Sequence, residues 1–184
     1  PPVGIVKKDT QKVLLIKRYD RILDNDVPKR LHQEDFCQAM GLSHELKYQA
    51  EGGPGLMACF DLVRAYSANP IKDFQQLLHW VFFNYLIGNM DGHAKNLSFI
   101  YRAKQIRLAP FYDMLCTNIY DGLSQKLAMK IGGENRPEWI MERHWKRFAE
   151  EIKVSNPILK KRLLDLCLQV IGKVDRTYAD YIGM

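Results

Sequence analysis

Four side chains able to do acid–base or phosphate chemistry stand close together in the stretch NMDGHAKNLSFIY, which runs from Asn89 to Tyr101: Asp91, His93, Lys95 and Asn96. An aspartate at a helix-to-strand corner, with an asparagine five residues on, is the layout of a phosphotransferase catalytic loop. The aspartate orients an acceptor hydroxyl and takes its proton. The asparagine folds back to offer a neutral oxygen to Mg2+. That ion prefers hard oxygen ligands and takes one or two carboxylates together with phosphate oxygens. The pattern therefore asks for a second carboxylate beyond a short hairpin, and Asp113, in RLAPFYDM, stands there, seventeen residues after Asn96. Each residue also has a plainer reading. Asp91 and Asn96 could simply cap a turn, since such side chains favour turns. His93 could be a hydrogen-bonded loop histidine, and Asp113 could cap a helix starting at Met114. What favours the chemistry is the occurrence of all four residues around one hairpin. The loop does not name a substrate, because small-molecule and lipid kinases share it.

The elements that must position this corner are legible from periodicity and breakers. Asn69 or Ser67 can cap a helix in which Pro70 occupies a tolerated first-turn position. Ile71, Phe74, Leu78, Val81 and Tyr85 recur at helical spacing, and Leu77, Phe82 and Leu86 widen the apolar arc, so a central, largely buried helix is expected up to Gly88. Leu97–Tyr101 with Ile106–Ala109 reads as a hairpin stopped by Pro110. Val3–Val6 with Val13–Tyr19 reads as another, because both runs are β-branched and apolar. Residues 20–32 are charged and interrupted by Pro28, so a loop is expected, followed by a short helix over QEDFCQAMGL. GGPG at 52–55 is a breaker, and LMACFDLVRAYS after it a helix of about three turns. Residues 114–135 are ambiguous. PEWIMERHWKRFAEEI is expected to form a helix opening at Pro137. Asn156–Pro157 starts the last helix, with Leu159, Leu163, Leu166, Val170, Val174, Tyr178 and Tyr181 on one face.

Composition sets outer limits. A chain of 184 residues that is 47% hydrophobic is long and apolar enough for one domain with its own core. The net charge of +6 is diffuse: residues 1–30 hold eight Lys/Arg against four Asp, and residues 142–176 hold nine against five acids. A solvated surface is the plain reading, and a face toward phosphate, nucleic acid or an acidic partner the sharper one. Cys37, Cys59, Cys116 and Cys167 form neither a CxxC pair nor a zinc spacing, so free thiols in a reducing compartment are expected. No run reaches the roughly 18–20 apolar residues of a membrane span. The N-terminus has no secretory segment and no initiator Met, as expected of a fragment or a processed product.

Several signatures together resemble one family, the HipA-type serine/threonine kinases, the toxin halves of bacterial toxin–antitoxin pairs. LIGNMDGHAKNLSFIY is similar to its catalytic loop. RLHQEDFCQAMGL at 30–42, GGPG at 52–55 and RLAPFYDM at 107–114 resemble three further signatures in the same order, and KLAM at 126–129 is a weaker match. LLIKRYDR at 14–21 is similar to the segment joining the two lobes of such kinases. The resemblance implies the C-terminal lobe of a protein-kinase-like fold, mainly α with small β-hairpins. Residues 1–20 would be a hinge hairpin left from the N-terminal lobe, and residues 21–184 the helical lobe. It implies Asp91 as catalytic base, and Asn96 and Asp113 as Mg2+ ligands. It also implies a nucleotide site lined by His93, Lys95, Asn96, Tyr112 and Asp113, with the backbone of Lys17, Arg18 and Tyr19 facing adenine. Arg30 and Gln33 read better as structural. The implied cofactors are ATP and Mg2+. The implied partners are a cytosolic protein substrate, such as a translation factor or aminoacyl-tRNA synthetase, and a helix-turn-helix antitoxin that links the kinase to operator DNA. The expected location is the cytoplasm, without a membrane. The family's Gly-rich covering loop and strand lysine have no counterpart in this sequence, so the chain alone is expected to be weak or inactive. The rival reading is a non-catalytic kinase-like module that binds a regulatory partner near DNA.

Overall fold

The computed structural model describes residues 1–182. Gly183 and Met184, the end of the lobe expected over 21–184, lie outside the described residues. The chain runs through strands β1 (Val3–Lys8), β2 (Gln11–Ile16), β3 (Arg21–Asp24), β4 (Val27–Arg30) and β5 (His32–Asp35), then helices α1 (Phe36–Ala39), α2 (Leu56–Tyr66) and α3 (Pro70–Ile87). Strands β6 (Ser98–Arg102) and β7 (Gln105–Leu108) come next, and α4 (Glu142–Glu151) and α5 (Asn156–Ile182) close it. The strands form two separate hairpins, β1–β2 and β3–β4, and one three-stranded antiparallel sheet of order β5-β6-β7.

This is a mixed α/β architecture of helices and small antiparallel sheets, with more strand than the two hairpins expected from the sequence. Residues 20–32 are not a loop. Asn25 and Asp26 both adopt positive φ, the two-residue turn that matches strand twist, and they close β3 onto β4. Pro28 is tolerated because it faces Leu23, one pair away from the hydrogen-bonded pair beside the turn, where its missing N–H points outward. The helix expected over QEDFCQAMGL shrinks to one turn, because His32–Asp35 pairs with Ser98–Tyr101 across a long sequence separation. Asp35 caps what remains, accepting from the Gln38 N–H at 2.9 Å, while the Gln38 side chain accepts from Asp35 N–H. Pro137 opens only a 3-10 turn, and α4 begins at Glu142.

The core is centred on α3. Leu77, Leu78, Trp80, Val81 and Phe82 are buried there, with Cys59, Phe60 and Val63 of α2 on one side and Phe148, Ile152 and Leu159 on another. Phe60 packs against Phe74 and Phe148, and Trp145 meets Phe82 and Tyr85 edge-on. Phe36 and Phe99 join the three-stranded sheet to this core. Asn69 caps α3 by accepting from Lys72 N–H, and Gly88 ends it at φ +72. Ile71, read as part of the buried stripe, is instead 73% exposed in the first turn.

Asp73, fully buried, is the polar centre of this packing. It accepts from Arg107 through two nitrogens at 2.8 and 3.0 Å, from Leu108 N–H at 2.8 Å and from the Ser67 hydroxyl at 2.6 Å. Burial pushes its carboxyl up, but these donors outweigh burial and hold it below the ordinary aspartate value. One carboxylate thus ties α3 to β7, the strand that leads toward Asp113.

The apolar face expected along all of α5 splits in two. Leu159 is buried and Leu163 and Leu166 pack on the core, whereas Val174, Tyr178 and Tyr181 are exposed. At 27 residues α5 outruns the 18-residue α3. Its far half faces a groove of about 630 Å³ shared with Phe83, Ile87 and Ile5 of β1. Lys12 of β2 reaches its end, bonding the Tyr181 carbonyl and lying over the Tyr181 ring.

Candidate active site

Gly88 turns the chain out of α3, and Asn89 then fixes the loop that leads to Asp91. Its buried side chain donates to Asn84 Oδ1 at 2.7 Å and to the Asp113 carbonyl at 3.3 Å, and accepts from Asp91 N–H at 3.1 Å. Asn118 N–H bonds the Gly88 carbonyl, and the Thr117 hydroxyl accepts from Met90 N–H at 2.7 Å. The loop is therefore held from both sides before it presents any chemistry.

Asp91 is exposed and does not cap its own turn. Its Oδ1 accepts from the Tyr48 hydroxyl at 2.7 Å. Asn96 is buried at the end of a 3-10 turn over Ala94–Asn96. Its Oδ1 accepts from His93 N–H at 2.9 Å, and its Nδ2 donates to Asp113 Oδ2 at 2.9 Å. Asp113 caps no helix, since none begins at Met114. It sits at φ +59, a conformation that few residue types other than glycine adopt without cost but that aspartate tolerates, with its carboxylate exposed beside Asn96. The structure thus brings Asn96 into contact with Asp113 and leaves the Asp91 carboxylate facing solvent on the same corner.

His93 is buried, edge-on to the Tyr48 ring at 5.3 Å, and its Nδ1 has no partner among the described residues. Burial pushes its pKa down against the opposing pull of Asp91, so the imidazole is neutral near pH 7. The Lys95 carbonyl accepts from the Tyr112 hydroxyl at 2.9 Å, which fixes Tyr112 over the corner.

The segment between β2 and β3 reaches the same place. The Tyr19 ring stacks on Tyr112 with centroids 6.2 Å apart, and its hydroxyl donates to Gln33 Oε1 at 3.0 Å. Burial and the neighbouring Tyr112 push the Tyr19 phenol up to about 12. Lys17 and Arg18 are exposed. Lys17 N–H donates to the Pro2 carbonyl, and the Arg18 guanidinium grips buried Asp20 through two bonds of 2.7 and 2.6 Å. With Arg21 adding a second charge, the Asp20 carboxyl is held down at about 2. Asp20 thus fixes this segment as Asp73 fixes β7.

Sequence reasoning missed Tyr48, Asn89, Asp20 and Asp73. Asn89 carried a faint signal, a polar residue directly after a helix-stopping glycine. Asp20 is gripped by its neighbours Arg18 and Arg21, a pattern that reads as a solvated charge cluster, and Tyr48 and Asp73 act across distances that no local pattern encodes.

Among the described residues no cluster of three or more His, Cys, Asp or Glu side chains is suited to a metal. The corner offers a two-residue oxygen set instead, which fits a cation that takes its remaining ligands from phosphates and water.

The helix-to-hairpin turn thus carries an exposed carboxylate, Asp91, close in sequence to a bonded Asn96–Asp113 pair. Comparison with known proteins gives the family. Residues 1–177 match the model of the HipA-like C-terminal domain, and the chain belongs to that family. It is 42% identical over 180 residues to Y4mE of Sinorhizobium fredii, a protein with a kinase name, covering 97% of this chain and 43% of that protein. It is 30% identical over 181 residues to the serine/threonine-protein kinase toxin HipA of Shewanella oneidensis, covering 91% of this chain and 42% of that one. The solved complex of Shewanella HipA with HipB and operator DNA superposes with a TM-score of 0.85 at 28% identity, over 98% of this chain and 44% of that chain. The chain thus spans less than half the length of these relatives.

Proposed function

We propose that this domain is the catalytic lobe of a HipA-like serine/threonine protein kinase, with residues 1–20 serving as its hinge to a second lobe. The observation that carries the reading is the 2.9 Å bond between Asn96 and Asp113 beside an exposed Asp91. Asp113 and the free lone pair of Asn96 Oδ1 would hold Mg2+, which supplies charge neutralisation on the phosphates when bound. Lys95 and neutral His93 lie on that side, and the Tyr19–Tyr112 stack marks the nucleotide's other boundary.

Asp91 has the proton-handling part. It orients a serine or threonine hydroxyl and accepts its proton as the hydroxyl oxygen bonds the γ-phosphorus of ATP. The bond from that phosphorus to the bridging oxygen breaks, and ADP leaves with the electron pair. The acceptor belongs to a cytosolic protein, with translation factors and aminoacyl-tRNA synthetases the implied class. By analogy with the Shewanella complex, the full-length protein is held by a helix-turn-helix antitoxin and reaches operator DNA through it.

The test is phosphoryl transfer by the full-length protein. Asp91→Ala is expected to reduce it by at least about a hundredfold while the circular dichroism spectrum and Tm stay unchanged, because Asp91 is exposed. An unfolded variant would make Asp91 structural, and an active one would remove it as the base.

A further inference from the structure

The GGPG signature at 52–55 has no part in the chemistry above, yet it builds something specific. Gly52 takes φ +91, and Gly53 N–H donates to the Tyr48 carbonyl at 2.9 Å. A Cβ on Gly53 would lie 2.6 Å from the Leu46 carbonyl oxygen and 2.7 Å from that of Tyr48, so only glycine lets the chain fold back this tightly. A Cβ on Gly55 would fall 2.7 Å from the Gln49 side chain, whose Oε1 accepts from Lys130 N–H at 2.7 Å. The product is a tight turn over residues 48–52 with Tyr48 at its head.

That turn is locked to the catalytic corner through one residue. Gln49 N–H donates to the Ala128 carbonyl at 3.3 Å, and Ala128 N–H donates to the Met90 carbonyl at 2.9 Å. Tyr48 and Asp91 are each adjacent in sequence to a residue bonded to Ala128, so the 2.7 Å bond from the Tyr48 hydroxyl to Asp91 Oδ1 spans two pinned backbones. The Tyr48 ring also covers the edge of His93. Asp91 and Tyr48 also line a groove of about 480 Å³, with Glu51, Leu123, Lys126 and Leu127 among its other walls and Asp113 not among them. Its floor is apolar and its volume lies in the range of ligand sites.

We infer that Tyr48, held by the GGPG turn, is a positioning residue for Asp91, and that the adjoining groove receives the extended polypeptide carrying the acceptor hydroxyl. This rests on the reading of Asp91 as the base. The Tyr48 hydroxyl occupies Oδ1 and fixes the carboxylate rotamer, which leaves Oδ2 for the acceptor. The groove takes the apolar neighbour of the acceptor serine or threonine against Leu123, the exposed apolar side chain of its wall. Acceptor and Tyr48 hydroxyl then meet the same carboxylate, one at Oδ2 and the other at Oδ1.

The experiment uses the full-length protein, wild type beside Tyr48→Phe, Gly53→Ala and Asp91→Ala. It measures phosphoryl transfer to a Ser/Thr peptide library with varied flanking residues, and Mg2+–ATP affinity by calorimetry. Tyr48→Phe keeps the ring and removes one charge-assisted bond, so kcat is expected to fall on the order of 10- to 100-fold. Nucleotide affinity should hold within about twofold, since the hydroxyl bonds Asp91 and none of the residues assigned to the nucleotide. Gly53→Ala should reproduce that split, and wild type should prefer an apolar residue beside the acceptor. Unchanged kcat in Tyr48→Phe with Asp91→Ala inactive would overturn the inference while sparing the kinase reading. So would a parallel loss of nucleotide affinity, or indifference to the flanking residue. A wild type no more active than Asp91→Ala would overturn both.

Discussion

Asp113 is the residue at which the plain and the chemical readings part most cleanly. No helix begins at Met114, so its carboxylate has no capping role, and it holds a positive φ while facing solvent beside Asn96. Asparagine keeps both the shape and the tolerance for positive φ and removes only the charge. Asp113→Asn is therefore expected to weaken Mg2+–ATP binding by about tenfold, ~1.4 kcal/mol, and metal-free ADP binding by less than about twofold. Equal losses in calorimetry would argue against the metal role. Asp91, His93, Asn96 and Asp113 were legible in the sequence because a loop and a short hairpin fix their spacing. Tyr48 was not, because it meets Asp91 across 43 residues and the turn that aims it is made by glycines.

Between elements, the decisive contact is the one Asp73 makes. Because its folded carboxyl lies below the ordinary 3.8, it contributes stability in full above that range, and the contribution is lost as pH falls through the folded value. Asp73→Asn is expected to cost about 3 kcal/mol at pH 7, read by urea denaturation, and to flatten the acid limb of the stability profile below about pH 4. An unchanged acid limb would mean that other carboxylates govern it. The helices α2, α3 and α5 were readable from period, caps and breakers. The hairpin β3–β4 was hidden by its charges and Pro28. Strand β5 was hidden because its partner lies beyond three helices, and local helix signals at Asp35–Gln38 describe only one turn. The far half of α5 was misread because periodicity reports an apolar face and not what covers it.

Across the whole molecule, order is unequal. The core packs around α3, while both strands of the β1–β2 hairpin expose apolar side chains and reach the remainder mainly through Ile5 and Lys12 at the end of α5. Amides of β1 and β2 are therefore expected to exchange with solvent by local opening, at least about a hundredfold faster than those of α3. Equal protection, measured by hydrogen exchange, would mean that the hairpin unfolds only with the core. The Ala128 bridge carries a different consequence, one of timing during synthesis. A nascent chain that has emerged as far as Asp113 holds every residue of the candidate chemistry, yet the loop lacks half of its bracing until Thr117, Asn118 and Ala128 have emerged too. A ribosome that stalls or terminates between those points releases a polypeptide with the full set of candidate groups and only part of the bracing that aligns them.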